Sequence, residues 1–247
     1  MTKLAIIGGT GLTKLKSLKV THREVMHTPY GEPSGLLTHG LFNDLPVVFL
    51  ARHGYSHQIP PHMVNYRANM WALKNIGIEH VLAVAAVGGI NKEMPPGCLA
   101  IPDQIIDYTY GRAHTFFEKD LQNVTHIDFS QPYDEEMRQT LMQAADMEGV
   151  DIQKHGVYGA TQGPRLETAA EINRMERDGC DMVGMTGMPE ASLARELGLR
   201  YVTCAVSANW AAGRGPENTM SDIQKTLSEG MKKVGANLER TVKLMAD

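Results

Sequence analysis

The stretch 62-HMVNYRANMWALKNIGIEHVLAVAAVG-88 decides the fold. Its first part places Val64, Ala68, Trp71 and Leu73 on roughly one side and stops at Gly77, the pattern of an amphipathic helix with a glycine stop. Its second part, 80-HVLAVAAVG-88, is apolar on both faces, as a strand is when helices cover both sides of its sheet. The same alternation continues outward. Apolar runs at 4–8, 46–51, 98–103, 155–161, 181–185 and 200–208 predict strands. Segments 134–148, 168–178, 189–197 and 222–245 predict helices, with Pro189 suited to a first turn and Gly198 to a stop. Leu227, Met231, Val234, Leu238 and Val242 recur at three and four in the last of these. No internal repeat or linker divides the chain. The expectation is an α/β fold, a single domain over 1–247 with a large central mixed β-sheet flanked by helices.

Composition excludes several classes. The chain has 247 residues, with 43% hydrophobic and 21% charged residues and a net charge of -4, so bulk electrostatics suggest no nucleic acid partner. The three cysteines, Cys98, Cys180 and Cys204, are scattered and form no CxxC, which argues against a disulfide framework or a zinc ribbon. The first residues, MTKLAIIGGTG, carry no long apolar targeting segment, and no run is long enough to predict a membrane span. A reduced, cytoplasmic location is the expectation.

In open α/β sheets ligands sit at the carboxyl ends of strands, so polar residues that follow apolar runs are the candidates. In 6-IIGGTGL-12 a glycine-rich turn offers backbone N–H groups and the Thr10 hydroxyl to an anion. A dinucleotide fingerprint fails there, because position 14 is Lys rather than Gly. In 50-LARHGYSH-57, Arg52 offers a fork of donors matched to phosphate, or pairs with a carboxylate at a strand end. His53, His57 and His62 are poor metal ligands as a set, since Gly54 and Pro60-Pro61 break any helix that would align them. The glycines of 84-VAAVGGI-90 mark either close packing or close approach of backbone to a ligand. In 161-TQGPRLETAAE-171, Glu167 is either a first-turn carboxylate facing the helix dipole or an acceptor for a ligand N–H. In 184-GMTGMPEASLA-194, Thr186 is a second phosphate hydroxyl or a helix cap. Met185 beside it is common core filler. The strand 204-CAVSANWAAG-213 delivers a lone amide, Asn209, to the end of the sheet.

Taken together, these segments and VNYRANMWALK resemble the trimeric purine nucleoside phosphorylase and methylthioadenosine phosphorylase family over nearly the whole chain. The resemblance implies phosphate-dependent cleavage of an N-glycosidic bond, with phosphate as co-substrate and no metal or organic cofactor. Thr10, Arg52, His53 and Thr186 match the family's phosphate ligands. Where the family often has a hydroxyl, this chain has Ala85 followed by Ala86, which leaves backbone N–H donors. Met185 matches the residue beneath the ribose, and Glu167 and Asn209 match the base-binding pair. His126, in 125-THIDFSQPYD-134, resembles a residue given to a neighbouring subunit's site. A homotrimer with shared active sites is therefore expected.

Base preference follows from polarity. A 6-oxopurine offers an N1–H donor to Glu167, while Asn209 can donate to N7 or O6. Adenine-directed members of the family carry Asp at the amide position, a second Asp two residues on and a small hydroxyl residue in place of the glutamate. Here these positions are Asn209, Ala211 and Glu167. The 5′ end points to the methylthioadenosine branch: 215-GPENTMSD-222 lacks histidine, Met220 offers an apolar wall, and Ser221 lies where specificity is set. The combined expectation is a phosphorylase of 5′-methylthioinosine. An inosine or guanosine phosphorylase is the nearest alternative, and a methylthioadenosine phosphorylase the next.

Overall fold

The quoted stretch forms helix α1, Tyr66–Asn75, followed by strand β5, His80–Gly89. Asn65 caps the helix by accepting from the Ala68 N–H, so Val64 precedes the helix rather than lying on its face. The computed structural model describes residues 3–9, 12, 18–42, 44–119, 122–216 and 220–246.

Among these, strands β1 (Leu4–Gly8), β2 (Leu18–Glu24), β3 (Leu37–Phe42) and β4 (Leu45–Ala51) precede α1. After β5 come β6 (Leu99–Ala100), β7 (Gln104–Asp107), α2 (Glu135–Glu148), β8 (Ile152–Gln153), β9 (Val157–Ala160) and α3 (Ala169–Arg177). The chain closes with β10 (Met182–Gly184), α4 (Glu190–Glu196), β11 (Arg200–Trp210) and α5 (Met220–Leu244). Helix ends carry their expected signals. Asp134 caps α2, Thr168 and Glu171 form a reciprocal capping box on α3, and Gly149 ends α2 with φ of 64°. No helix among the described residues is long and apolar enough to cross a membrane.

All the strands join one mixed sheet in the order β2-β3-β4-β1-β5-β10-β9-β7, with β11, β6 and β8 branching from β5. Alternate residues of β1 face opposite cores. Ala5 and Ile7 pack with Met70 and Leu73 of α1 and Leu193 of α4. Leu4 and Ile6 share the other cluster with Leu141 of α2 and Val234, Leu238 and Val242 of α5. Each such large buried side chain contributes about 1.5–3 kcal/mol. The hairpin of β2 and β3 was not legible as strands, because β2 is mostly exposed and polar. The run 98–103 yields only the two-residue β6.

One irregularity positions the site. β11 runs along one edge of β5 from His80 to Gly89. β1 and β10 must therefore share the other edge. β1 reaches only Ala83, and β10 joins only at Gly88. Among the described residues, no strand lies on that side of residues 84–87 of β5.

Candidate functional site

The gap along β5 opens into a cavity of about 780 Å³. Its walls are the segments that follow β1, β4, β9, β10 and β11, together with one face of α5. On the open edge, the Val84 carbonyl accepts from Arg52 Nη1 at 2.9 Å. A strand points the N–H and C=O of alternate residues to the same edge, so Ala86 presents its N–H to the cavity it lines. The neighbouring glycines serve packing: a Cβ on Gly89 would lie 1.9 Å from the Met94 carbonyl oxygen.

Arg52 follows β4 and is 2% exposed. Its Nε and Nη2 donate to the fully buried Glu190 carboxylate at 2.6 and 2.7 Å. The Tyr201 hydroxyl also donates to Glu190, at 2.8 Å. Burial opposes the Arg52 charge, but the Glu190 carboxylate more than offsets it and holds the pKa above the ordinary value. The carboxylate pairing is thus present, and it leaves room for the phosphate reading. Three of its five N–H groups are occupied by Glu190 and Val84, and two remain for a ligand in the cavity it lines.

His53 donates from Nδ1 to the Ile59 carbonyl at 2.8 Å, since that oxygen can only accept. Burial, and then the adjacent Arg52 charge, lower its pKa to about 4. The ring is neutral at pH 7, and Nε2 is left as an acceptor, suited to the hydroxyl of hydrogen phosphate. Thr186 is buried and, with Met185, lines the same cavity after β10. Thr10 lies outside the described residues; Gly9 and Leu12, on either side of it, line the cavity.

Asn209 reaches the cavity through a bulge. Register with β5 slips between Ser207 and Asn209, so Ala208 and Asn209 both line it, as do Trp210 and Ala211. The Asn209 Nδ2 donates to the Trp210 carbonyl at 2.6 Å, leaving one N–H and Oδ1 for a ligand. Glu167 lies just before the Thr168 cap of α3, not within its first turn; Glu171 holds that place. Its Oε1 accepts from the Thr161 hydroxyl at 2.7 Å, leaving Oε2 to the cavity it lines. Gly163, between them, needs to be glycine: φ is +59°, and a Cβ would lie 2.5 Å from Met185 Sδ.

The remaining expectations fall differently. Ser221 is exposed on the first turn of α5, and the side chain of Met220 lies outside the described residues. The α5 residues that wall the cavity are Ile223, Leu227 and Met231. Two of these, Leu227 and Met231, belong to the sequence stripe that recurs at three and four; they are partly buried and pack against the cluster of Leu12, Val84 and Val206. His126 is exposed, on the loop that precedes α2. Sequence reasoning also missed Glu190. It stands in the quoted 184–194 segment, but nothing in the pattern shows that a helix first turn meets an arginine 138 positions away.

One group of described residues could hold a metal: His22, Glu24 and His39 on the β2–β3 hairpin, apart from the cavity. His39 Nε2 lies 2.8 Å from Glu24, but the two imidazoles stack within 10° of parallel. Their in-plane lone pairs therefore do not converge on a common point, and the His39–Glu24 contact is a hydrogen bond rather than part of a ligand shell.

Comparison with known proteins gives the family and agrees with the fold. A profile described as the phosphorylase superfamily matches residues 3–243. A probable S-methyl-5'-thioinosine phosphorylase of Pseudomonas syringae pv. tomato is 56% identical over 243 residues, covering 98% of this chain and 99% of the relative. A 6-oxopurine nucleoside phosphorylase of Pyrococcus furiosus is 44% identical over 250 residues, covering 99% and 91%. A solved methylthioadenosine phosphorylase from Schistosoma mansoni, in complex with adenine, superposes with a TM-score of 0.94 at 32% identity, covering 100% of this chain and 92% of that one.

Proposed function

We infer the reaction from one premise: the chain belongs to the phosphorylase superfamily. The reaction is reversible phosphorolysis of S-methyl-5'-thioinosine to hypoxanthine and 5-methylthioribose 1-phosphate. The observation that carries it is a single cavity lined by an acid and a carboxamide, Glu167 and Asn209, and also by the apolar Ile223, Leu227 and Met231. The first pair meets the N1–H and N7 of an oxopurine. The second set takes a methylthio group without leaving a hydroxyl unpaired. The relatives named for methylthioinosine and for 6-oxopurine nucleosides support this reading.

In the mechanism, Arg52, Thr10, Thr186 and the Ala86 N–H hold hydrogen phosphate, whose hydroxyl donates to His53 Nε2. A phosphate oxygen attacks C1′ as the C1′–N9 bond breaks. Positive charge grows on the sugar above Met185 and beside the phosphate, and negative charge grows on the purine. Asn209 stabilises that second charge at N7 by hydrogen bonding. The phosphate proton passes to solvent and a proton returns to the departing base, so the reaction balances without a cofactor or a metal.

The assembly is a cytoplasmic homotrimer whose sites are shared. Support comes from His126, which is exposed in its own chain. Val124, two residues away, is 74% exposed, and Leu166 on the cavity wall is 62% exposed; both are apolar surfaces that a second copy would cover. The test offers purified protein and phosphate three nucleosides in parallel: methylthioinosine, methylthioadenosine and inosine. Release of hypoxanthine from methylthioinosine at the highest kcat/KM is expected. Equal use of methylthioadenosine would overturn the base assignment, and equal use of inosine the 5′ assignment.

A further inference from the structure

Arg112 is a buried cation that none of the motifs explains. It is 8% exposed, yet none of its six hydrogen bonds ends on a carboxylate. Nη2 donates to the carbonyls of Thr161 and Gln162, at 3.1 and 2.8 Å, and Nε donates to the Gln162 side chain at 3.1 Å. Nη1 donates to the carbonyls of Met185 and Met188, which bracket Thr186, at 2.9 and 2.5 Å. Nη1 also reaches the Tyr66 hydroxyl at 3.3 Å, and that hydroxyl donates to the Pro61 carbonyl at 2.9 Å.

These carbonyls belong to the segments that carry the site. Thr161 orients Glu167 through its hydroxyl, Met185 and Thr186 line the cavity, and Pro61 ends the loop whose Ile59 carbonyl fixes His53. The first two segments also touch directly, at Gly163 and Met185. A planar fork can bind several carbonyls in fixed relative positions, which a lysine ammonium cannot. A buried guanidinium without a counter-carboxylate is tolerated only because so many oxygen dipoles converge on it.

We propose that Arg112 is a positioning residue that locks the base-binding, ribose-and-phosphate and His53 loops into one register. The inference rests on the phosphorylase reading but not on which nucleoside is the substrate. Displacing a positioned group by about 1 Å can reduce rate about 100-fold. In Arg112→Lys, KM for phosphate and KM for the nucleoside are both expected to rise about tenfold or more while kcat falls. Free guanidinium should partly restore both in Arg112→Ala. A residue that merely supports the fold would lower kcat in proportion to the folded fraction and leave both KM values alone; that result, in folded protein, overturns the proposal. Tyr66→Phe removes one hydroxyl and is the milder variant if both Arg112 variants misfold. It cuts the link to Pro61 and should raise KM for phosphate about threefold or more without changing KM for the nucleoside. An unchanged phosphate KM there overturns the link. Calorimetric Kd values for inorganic phosphate and for hypoxanthine, on the same proteins, read the clamp even if the wild type does not turn over methylthioinosine. In that case the substrate reading fails and the clamp is judged by binding alone.

Discussion

Glu190→Gln tests whether the buried ion pair organises the phosphate end of the cavity. Arg52 and Glu190 are 2% and 0% exposed and share two hydrogen bonds shorter than 2.8 Å. Glutamine keeps the volume but removes the charge. It also turns one acceptor into a donor that faces a guanidinium N–H. Breaking a buried pair from one side costs about 3–5 kcal/mol, because the other charge stays buried. For a chain of this size each kcal/mol moves Tm by about 2–4 °C, so a fall of roughly 6–20 °C is expected by scanning calorimetry. Arg52→Met should lose a similar amount. The informative protein is the double variant, Arg52→Met with Glu190→Met. Replacing both charges with apolar groups of similar volume removes the penalty of an unpaired ion, so at least half of the summed loss should return. Tyr201 keeps one partner in Thr203, whose hydroxyl lies 3.3 Å away. Phosphate-dependent turnover should stay down about 10²–10³-fold in the double variant, as it does when a charge-stabilising donor is lost. A double variant whose loss equals the sum of the two single losses would refute the coupling. One that turns over phosphate normally would remove Arg52 from the anion site.

Glu167→Ser with Asn209→Asp should move the ratio of kcat/KM toward adenine nucleosides by about 10² or more; loss of activity on every base would show the recognition account to be incomplete. Leu227→Asn should lower the preference for methylthioinosine over inosine about tenfold, measured as a ratio of kcat/KM, whereas an unchanged ratio would move the 5′ wall elsewhere on α5. His53 sets an acid limb on stability. Its folded pKa of about 4 lies below the unfolded value of 6.5, so the unfolded chain takes up the proton first. The stability it holds as a neutral ring is complete above pH 6.5 and is lost as pH falls toward 4, by about 3 kcal/mol at most. In His53→Asn the fall of Tm across that window should be shallower, and an identical slope would sink the assignment.

The parts of the fold that were legible are those in which one local pattern dictates one element. β1, β5 and β11 are apolar on both faces, and α1 and α3 have capping residues and amphipathic spacing. The β2–β3 hairpin was not legible, because an exposed edge strand carries no hydrophobic alternation to read. The same division holds at the cavity. Arg52, His53, Thr186, Glu167 and Asn209 could be found because each follows an apolar run. Glu190 and Arg112 could not, because their roles exist only through partners far away in the chain. Glu190 meets Arg52, and Arg112 meets carbonyls 49 to 76 positions away in the chain. Leu227 and Met231 show a third case. A stripe at three and four looks alike whether it faces a core or a cavity, and only the unpaired edge of β5 decides which.

Selectivity for an oxopurine depends on more than the identity of two side chains, because a carboxamide can turn over and a carboxylate can rotate. Here each has one hydrogen bond already committed. Turning the Asn209 amide by half a turn would set its oxygen against the Trp210 carbonyl, which accepts from Nδ2 at 2.6 Å. Rotating Glu167 away would exchange the 2.7 Å bond from the Thr161 hydroxyl to a carboxylate for that hydroxyl's 3.3 Å contact with the Gly184 carbonyl. The polarity shown to the cavity is thus set within the chain, at Asn209 by a main-chain carbonyl and at Glu167 by the Thr161 hydroxyl. That is the condition under which a mismatched hydrogen bond carries its full penalty rather than being relieved by rearrangement. The bulge at Ala208 is part of the same arrangement. It turns Asn209 toward the cavity, next to the backbone oxygen that orients it, so the feature that breaks the regularity of β11 is also what brings its amide to the cavity wall.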